Sequence, residues 1–316
     1  MQSSDVIDEI KTPQGRLIKV YKDNYVKLEE VSTDAATSSK ITFENIKKNL
    51  PLKLPKIEKL PEYRKIKGHD VPIAIVGGGP SLKNHIDELK GFRTILACGS
   101  VHDYLRSQDI VPTYAAICDP DPVSINYYRN LHTEVKYLLA TSVDVTLLEH
   151  FKDYQRILWH CHSADFNVDE IEKLEGTDYH AISGGCTVGL RGINICIMLG
   201  YTNIHFFGFD SCMDEEQCHA YAVSAKERKD FGRLFEVKLR ELDSEGPSEK
   251  RVFKCVGYQL AQAYAFRDYY LNFGRLFTPT FHGDGLMSGM WELIVHILGV
   301  DDQSDAKLTR ELIHVS

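Results

Sequence analysis

The stretch IAIVGGGPSLKNHIDEL, residues 73–89, decides how the chain is read. Ile73 to Val76 is an uninterrupted apolar run, which suits a strand buried on both faces. Three glycines then turn the chain, and Ser81 with Pro80 stands where a helix would start, serine as cap and proline near the first turn. Working outward, apolar runs at 94–98, 114–118, 136–140, 156–159, 179–182 and 203–207 alternate with helical patterns at 82–90, 101–107, 123–131, 145–151 and 187–199. Short buried strands separated by helices predict an α/β fold, a Rossmann-like, doubly wound and mainly parallel sheet.

The region before it differs. Residues 16–26 loosely alternate apolar and polar side chains, 32–40 is a small-residue polar loop, and LPLKLPKIEKLP at 50–61 sets three prolines among lysines, as an extended linker would. The expected organisation is a small N-terminal β or extended arm with linker at 1–66, a Rossmann-like nucleotide-binding domain at 67–300, and a tail at 301–316. No internal repeat is visible.

The chain has 316 residues, 43% hydrophobic and 26% charged, enough to bury a real core and unlike a disordered sequence. Lys and Arg number 37 against 45 Asp and Glu, a net charge of -8 that argues against a broad nucleic-acid surface. The expected partners are a nucleotide and a small-molecule acceptor, with a homo-oligomer left open. No apolar run reaches the length of a membrane span, and the polar, acidic start resembles neither a signal nor a transit peptide, so a cytoplasmic location is expected. Eight cysteines form no CxxC pair and read as reduced core thiols. Cys212, Cys218 and His219 are spaced too widely for a zinc knuckle.

The residues just past each strand hold the chemistry. They are Gly77, Gly78, Gly79, Pro80 and Ser81; Gly99 and Ser100; Asp119, Pro120 and Asp121; Thr141 and Ser142; His160 and His162; Ser183, Gly184 and Gly185; and Asp210 with Ser211. In an open parallel sheet these carboxyl ends share one edge, where ligands bind. Glycine amides beside a helix N-terminus suit a phosphate, and Ser183 to Thr187 repeats that logic ahead of helix 187–199. The first turn matches neither GxGxxG, whose third glycine would fall at Leu82, nor a P-loop, since no Gly-Lys-Ser/Thr follows. Asp119 and Asp121 suit Mg2+ carried in by a polyphosphate, although Asp-Pro pairs also simply begin turns. Asp210 is a candidate for metal or substrate contact and His219 for general acid/base work. FHGDGLMSGMW at 281–291 adds His282, Gly283, Asp284 and Gly285, which either line the same cleft or only turn the chain. Residues 224–250 mix charges of both signs and read as a solvated helix or excursion. The aromatic helix expected at 257–273 is mostly core, with Arg267 within reach of a phosphate.

Five stretches together, IAIVGGGPSLKN, ILACGS, PTYAAICDP, SGGCTVGL and LGYTNIHFFGFDSC, resemble the 6-hydroxymethylpterin pyrophosphokinase MptE-like family over about 71–299. The resemblance implies Mg2+-dependent pyrophosphoryl transfer from ATP to a hydroxymethyl, pterin-like acceptor. It implies nucleotide phosphate near Gly77, Gly78, Gly79 and Ser81, metal at Asp119 and Asp121, and substrate near 183–187 and Asp210. The same landmarks are more distantly similar to bacterial sialyltransferases that use CMP-sialic acid without a metal. In these, a GNGPS turn, a Ser-Gly turn before a helix, a GY…I…G.D strand and a downstream histidine base correspond to Gly77–Ser81, Ser183-Gly184, Gly200–Asp210 and His219. Gly78 stands where that family has an asparagine that contacts the nucleotide sugar. A glycosyltransferase is therefore the alternative to the kinase, and a non-catalytic nucleotide-binding protein the third reading.

Overall fold

The computed structural model describes residues 6–11, 16–21, 26–30, 32–63, 71–161, 172–174, 180–182, 184, 187–215, 217–222, 234–240, 250–300 and 313–315. Its strands are β1 (Val6–Lys11), β2 (Arg16–Tyr21), β3 (Val26–Glu30), β4 (Pro72–Val76), β5 (Ile95–Cys98), β6 (Tyr114–Ile117), β7 (Lys136–Ala140), β8 (Gln155–Cys161), β9 (Ala181–Ile182), β10 (Asn203–Phe207), β11 (Leu234–Arg240), β12 (Lys250–Val256), β13 (Thr278–His282) and β14 (Ile313–Val315). Its α-helices are α1 (Ser32–Asn49), α2 (Ile86–Leu89), α3 (Val101–Ser107), α4 (Val145–His150), α5 (Val188–Leu199), α6 (Gly257–Phe273) and α7 (Leu286–Val300).

Eight strands form one sheet in the order β13-β10-β4-β5-β6-β7-β8-β9, and every pairing in it is parallel. The chain winds outward from β4 to β9, then returns past β4 to lay down β10 and β13 on the other side. Strand order therefore reverses between β4 and β10, the switch point at which a doubly wound sheet opens a crevice beyond its strand ends.

The continuous apolar runs are explained by burial on both faces. On one face Ile75 is paired with Phe206, whose ring meets Phe266 of α6 and Phe281 of β13. On the other, Val76 is paired with Phe207, whose ring meets Phe92 and His282. Ile73, Ala74, Ile75, Val76, Phe206 and Phe207 are all fully buried. Each large side chain so placed stabilises the fold by roughly 1.5–3 kcal/mol relative to exposure.

Several local expectations change. Residues 32–40, expected as a loop, begin the 18-residue α1, a segment without Gly or Pro until Pro51 follows it. Its second half is tied to the domain by Ile46, Asn45 and Asn49, all buried. Residues 50–61 are not a free extended linker: Ile57 is fully buried, and the Leu158 amide of β8 donates to the Pro55 carbonyl at 2.7 Å. The helix expected at 123–131 is only a 3-10 turn, Pro122–Tyr127, and that expected at 82–90 is the 3-10 turn Pro80–Asn84 followed by the single-turn α2. Strand β13, TPTFH, was not foreseen, because Pro279 and two threonines break the apolar run; it occupies the sheet edge, where proline is tolerated.

The region read as a solvated helix contains β11, paired antiparallel with β12 and β14. Phe235, Val237 and Leu239 point inward in period two and meet Phe253, Cys255, Leu260, Tyr264, Leu286 and Met290 in a second core. The first three strands form a separate antiparallel sheet, β1-β2-β3. Among the described residues no helix is long and apolar enough to cross a membrane.

Candidate functional site

At the switch point the turn after β4 lies directly against the turn after β10. The Gly77 amide donates to the Phe207 carbonyl and the Gly79 amide to the Gly208 carbonyl, each at 2.8 Å, and the Ser81 amide donates to Asp210 Oδ2 at 2.9 Å. The sequence offered these amides to a phosphate; in the structure they are engaged by the chain itself. Gly79 must lack a side chain, since a Cβ there would run into the Asp210 carboxylate and stand 2.6 Å from the Gly208 carbonyl. Pro80 is buried and opens the 3-10 turn.

Asp210 joins three turns. Only 4% exposed, it is pushed upward from the usual carboxylate range by burial, with hydrogen bonding from Ser81 acting in the opposite direction. Gly283, just past β13, lies against Ser81 and Asp210, while Gly285 packs on the Asp210 backbone and the Met287 amide donates to the Asp210 carbonyl at 3.2 Å. Gly283 and Gly285 thus pack against Asp210, whereas Gly289 lies against Leu239 and Arg251. Asp284 points out to an ion pair with Arg251 at 2.9 Å.

Over the glycine turn lies the segment carrying His219 and Tyr221. The Ala220 amide donates to the Gly78 carbonyl at 3.0 Å. A Cβ on Gly78 would strike the Tyr221 hydroxyl and lie 2.8 Å from His219 Cδ2. Tyr221 in turn shares a 2.6 Å hydrogen bond with Ser100 Oγ, and its ring stands 5.3 Å from that of Tyr104. Lys83 pairs with Asp214 at 2.6 Å, and Gln259 of α6 donates to the Cys212 carbonyl at 3.1 Å, which anchors the chain leading into the segment.

Gly99 follows β5 and packs against Val188, the first residue of α5. Thr187 caps α5, accepting from the Leu190 amide at 3.3 Å and from Gln262 Nε2 at 3.4 Å. Gly184 packs on Asn194 and the Leu190 carbonyl. Ser183 and Gly185 lie outside the described residues, as does His162.

Asp119 and Asp121 are exposed and shape their own turn. Asp119 Oδ1 accepts the Asp121 amide at 2.9 Å, and Asp121 Oδ1 accepts the Val123 amide at 2.8 Å, capping the 3-10 turn. Thr141, Ser142 and His160, expected along the open edge, are buried instead. Asn45 Nδ2 donates to the Ser142 carbonyl at 3.0 Å, and Asn49 Nδ2 to those of Thr141 and Val143 at 2.9 and 2.7 Å, so α1 closes over the turn after β7. Arg267 is paired with the adjacent Asp268 at 2.7 Å and stacked over Tyr264. Cys212 and Cys218 are buried.

One cluster had no signal in any single motif: His85, Glu88 and His282, backed by His205. His85 and Glu88 are three residues apart in the chain, but only the pairing of β10 with β13 brings the other two histidines to them.

A parallel doubly wound sheet with its polar groups gathered at the β4–β10 switch point defines a Rossmann-like protein. Residues 40–216, more than half of the chain, match the family described as 6-hydroxymethylpterin diphosphokinase MptE-like, and the chain belongs to that family. No curated protein matches. Among solved structures, the Maf glycosyltransferase from Magnetospirillum magneticum AMB-1 superposes with a TM-score of 0.54 at 15% identity, over 80% of this chain and 39% of that one. This chain thus spans about two-fifths of the length of that enzyme, and at such identity the likeness is one of fold. Two mammalian sialyltransferase structures align at TM-scores of 0.40 and 0.35, with 10% and 11% identity, over 77% and 63% of this chain and 78% and 80% of theirs.

Proposed function

We propose that the protein transfers a glycosyl group from a nucleotide-activated sugar to an acceptor hydroxyl, with His219 as the base. The observation behind this reading is the placement of His219, Tyr221 and Ser100 over Gly78 at the switch point. The donor's phosphate lies against the Tyr221 and Ser100 hydroxyls, near the first turn of the 12-residue α5, whose partial positive charge favours an anion. His219 takes the proton of the acceptor hydroxyl as its oxygen bonds to the sugar's anomeric carbon. The bond from that carbon to the phosphate oxygen breaks, and the nucleotide leaves with the electron pair. Tyr221 and His219 occupy the space over Gly78 where the sialyltransferase pattern has an asparagine side chain, and the Tyr221 hydroxyl takes over its contact. Asp210 serves as a positioning residue, holding the Ser81 amide and with it the turn.

The family description favours a second reading, pyrophosphoryl transfer from ATP. Asp119 and Asp121 are hard oxygen donors two residues apart, which fits Mg2+ shared with phosphate oxygens, and the ion would neutralise charge on the transferred group. Against it, both carboxylates are exposed and each already accepts a backbone amide.

Thermal shifts with CMP, UDP, ADP and ATP, each with and without Mg2+, followed by turnover of variants, test the choice. The glycosyl reading expects a nucleotide shift independent of Mg2+, a loss of roughly 10²–10⁴-fold in transfer for His219→Ala with binding kept, and little effect of Asp119→Asn. An ATP shift that requires Mg2+ and disappears in Asp119→Asn would overturn it in favour of the kinase.

A further inference from the structure

We propose that His85, Glu88 and His282 form a binding site for a divalent ion of the zinc class, with His205 as the partner that orients His282. The inference is independent of the transferase chemistry above. His85 follows the 3-10 turn Pro80–Asn84, Glu88 lies on α2 three residues later, and His282 ends β13. Glu88 Oε2 is 3.2 Å from His85 Nδ1, Glu88 Oε1 is 2.8 Å from His282 Nδ1, and one ligand atom from each of the three residues falls within 4.8 Å of the others. Tetrahedral zinc bonds of 2.0–2.2 Å place neighbouring ligand atoms about 3.3–3.5 Å apart, so side-chain adjustments alone complete the site.

The site is built on fixed parts. The His282 ring is stacked on Phe207 at 4.0 Å with 5° between planes, and Phe92 stands edge-on to His205 and His282. Exposure grades from Glu88 at the rim, 49%, through His85, 30%, to His282 at the floor, 12%, which leaves a path for the ion. His282 Nε2 is 2.9 Å from His205 Nδ1. With Nδ1 bound to metal, His282 carries its proton on Nε2 and donates it to His205 Nδ1, the outer-shell arrangement that sets tautomer and ring orientation in metal-bound histidines. Two imidazoles and one carboxylate favour Zn2+ or Co2+ over Mg2+, and a fourth position stays open to water. An ion here ties α2 to the edge strand β13, next to Gly283 where it packs on Ser81 and Asp210.

The test uses the full chain after dialysis against EDTA, with Co2+ as a visible probe and Zn2+ as competitor. Expected are one equivalent of Co2+ with the absorption of a low-coordinate site, displacement by Zn2+ but not by equal Mg2+, and a rise in melting temperature. His205→Leu should weaken binding by roughly 10–100-fold with stoichiometry kept, and Glu88→Gln or His85→Gln should weaken it further. Glu88 is half exposed, so its variant is expected to keep the wild-type circular dichroism and urea midpoint in the absence of metal. Absence of any Co2+ spectrum or melting shift overturns the proposal. So does an affinity unchanged in a folded Glu88→Gln, which would place the ion elsewhere, such as at Cys212, Cys218 and His219.

Discussion

Two adjacent glycines should respond in opposite ways to the same substitution. At Gly79, an added methyl meets the Gly208 carbonyl at 2.6 Å and the Asp210 carboxylate. Neither can step aside: the carbonyl accepts the Gly79 amide, and the carboxylate is buried and holds the Ser81 amide. Overpacking costs roughly 1–3 kcal/mol, and unpairing one of these buried groups roughly 1–3 more, so Gly79→Ala should lose about 2–6 kcal/mol. At Gly78 the methyl meets only side-chain atoms among its nearest neighbours, the Tyr221 hydroxyl, His219 Cδ2 at 2.8 Å and Tyr221 Cζ at 3.1 Å. These rings can rotate away, breaking the 2.6 Å bond from Tyr221 to Ser100 at a cost of roughly 0.5–1.5 kcal/mol. Restriction of the unfolded chain offsets roughly 0.4–1 kcal/mol of that, leaving Gly78→Ala within about 1 kcal/mol of wild type. It should nonetheless lose nucleotide-induced stabilisation and turnover, because His219 and Tyr221 are displaced. Urea midpoints and thermal shifts with nucleotide measure both. Equal destabilisation by the two substitutions, or a fully active Gly78→Ala, would refute the assignment of Gly78 to the site and Gly79 to the scaffold.

Asn49→Ala should lower stability by about 2–5 kcal/mol, since it strips the buried Thr141 and Val143 carbonyls of their donor; a urea midpoint unchanged from wild type would show that α1 does not clamp the sheet end. Burial acts to raise the Asp103 carboxyl, but bonds from His102 and the Arg129 and Asn130 amides hold it below its ordinary value of 3.8. Its contribution is therefore complete above that value and is lost as the pH falls through the lower folded one. The gap in urea midpoint between wild type and Asp103→Asn should be widest near neutrality and shrink below about pH 4. Asp210 has the opposite sign. Burial raises it, so its ionisation penalty is full above the folded value and is relieved as the pH falls towards 3.8. Asp210→Asn should compare best with wild type at neutral pH and progressively worse in acid, and a flat difference would argue that the carboxyl is not desolvated.

Where one face of an element faces the core and nothing else competes, the sequence was readable. Strands β4, β7 and β10 lie where their apolar runs begin and end. Strand β11 has an equally plain period of two in FEVKLR, but the flanking charges masked it. The start of α1 lacked an apolar stripe because its anchoring comes later, through Ile46 and two asparagines whose partners lie 75 to 97 residues away. The strand-end residues of the site were visible for the same reason the strands were. Their hydrogen-bond partners were not: nothing near Ser81 announces that its amide will be taken by Asp210, 129 residues on.

The family likeness and the chemistry come from different parts of the chain. The match covers 40–216, so it includes the second half of α1, the glycine turn, the Asp119–Asp121 turn and Asp210. It ends before His219, Tyr221 and the whole of β13 with Gly283. Family membership therefore speaks for the winding of the sheet and the shape of the turn at the switch point. The groups that close over that turn belong to the unmatched remainder. At the far end of the edge, α1 seals the turn after β7. Asp119 and Asp121 stand at the margin of that seal, where Asn45 reaches the Pro120 carbonyl at 3.5 Å. The proposed glycosyl transfer therefore rests on His219 and Tyr221, which lie over Gly78 and outside the matched segment, and not on the family match.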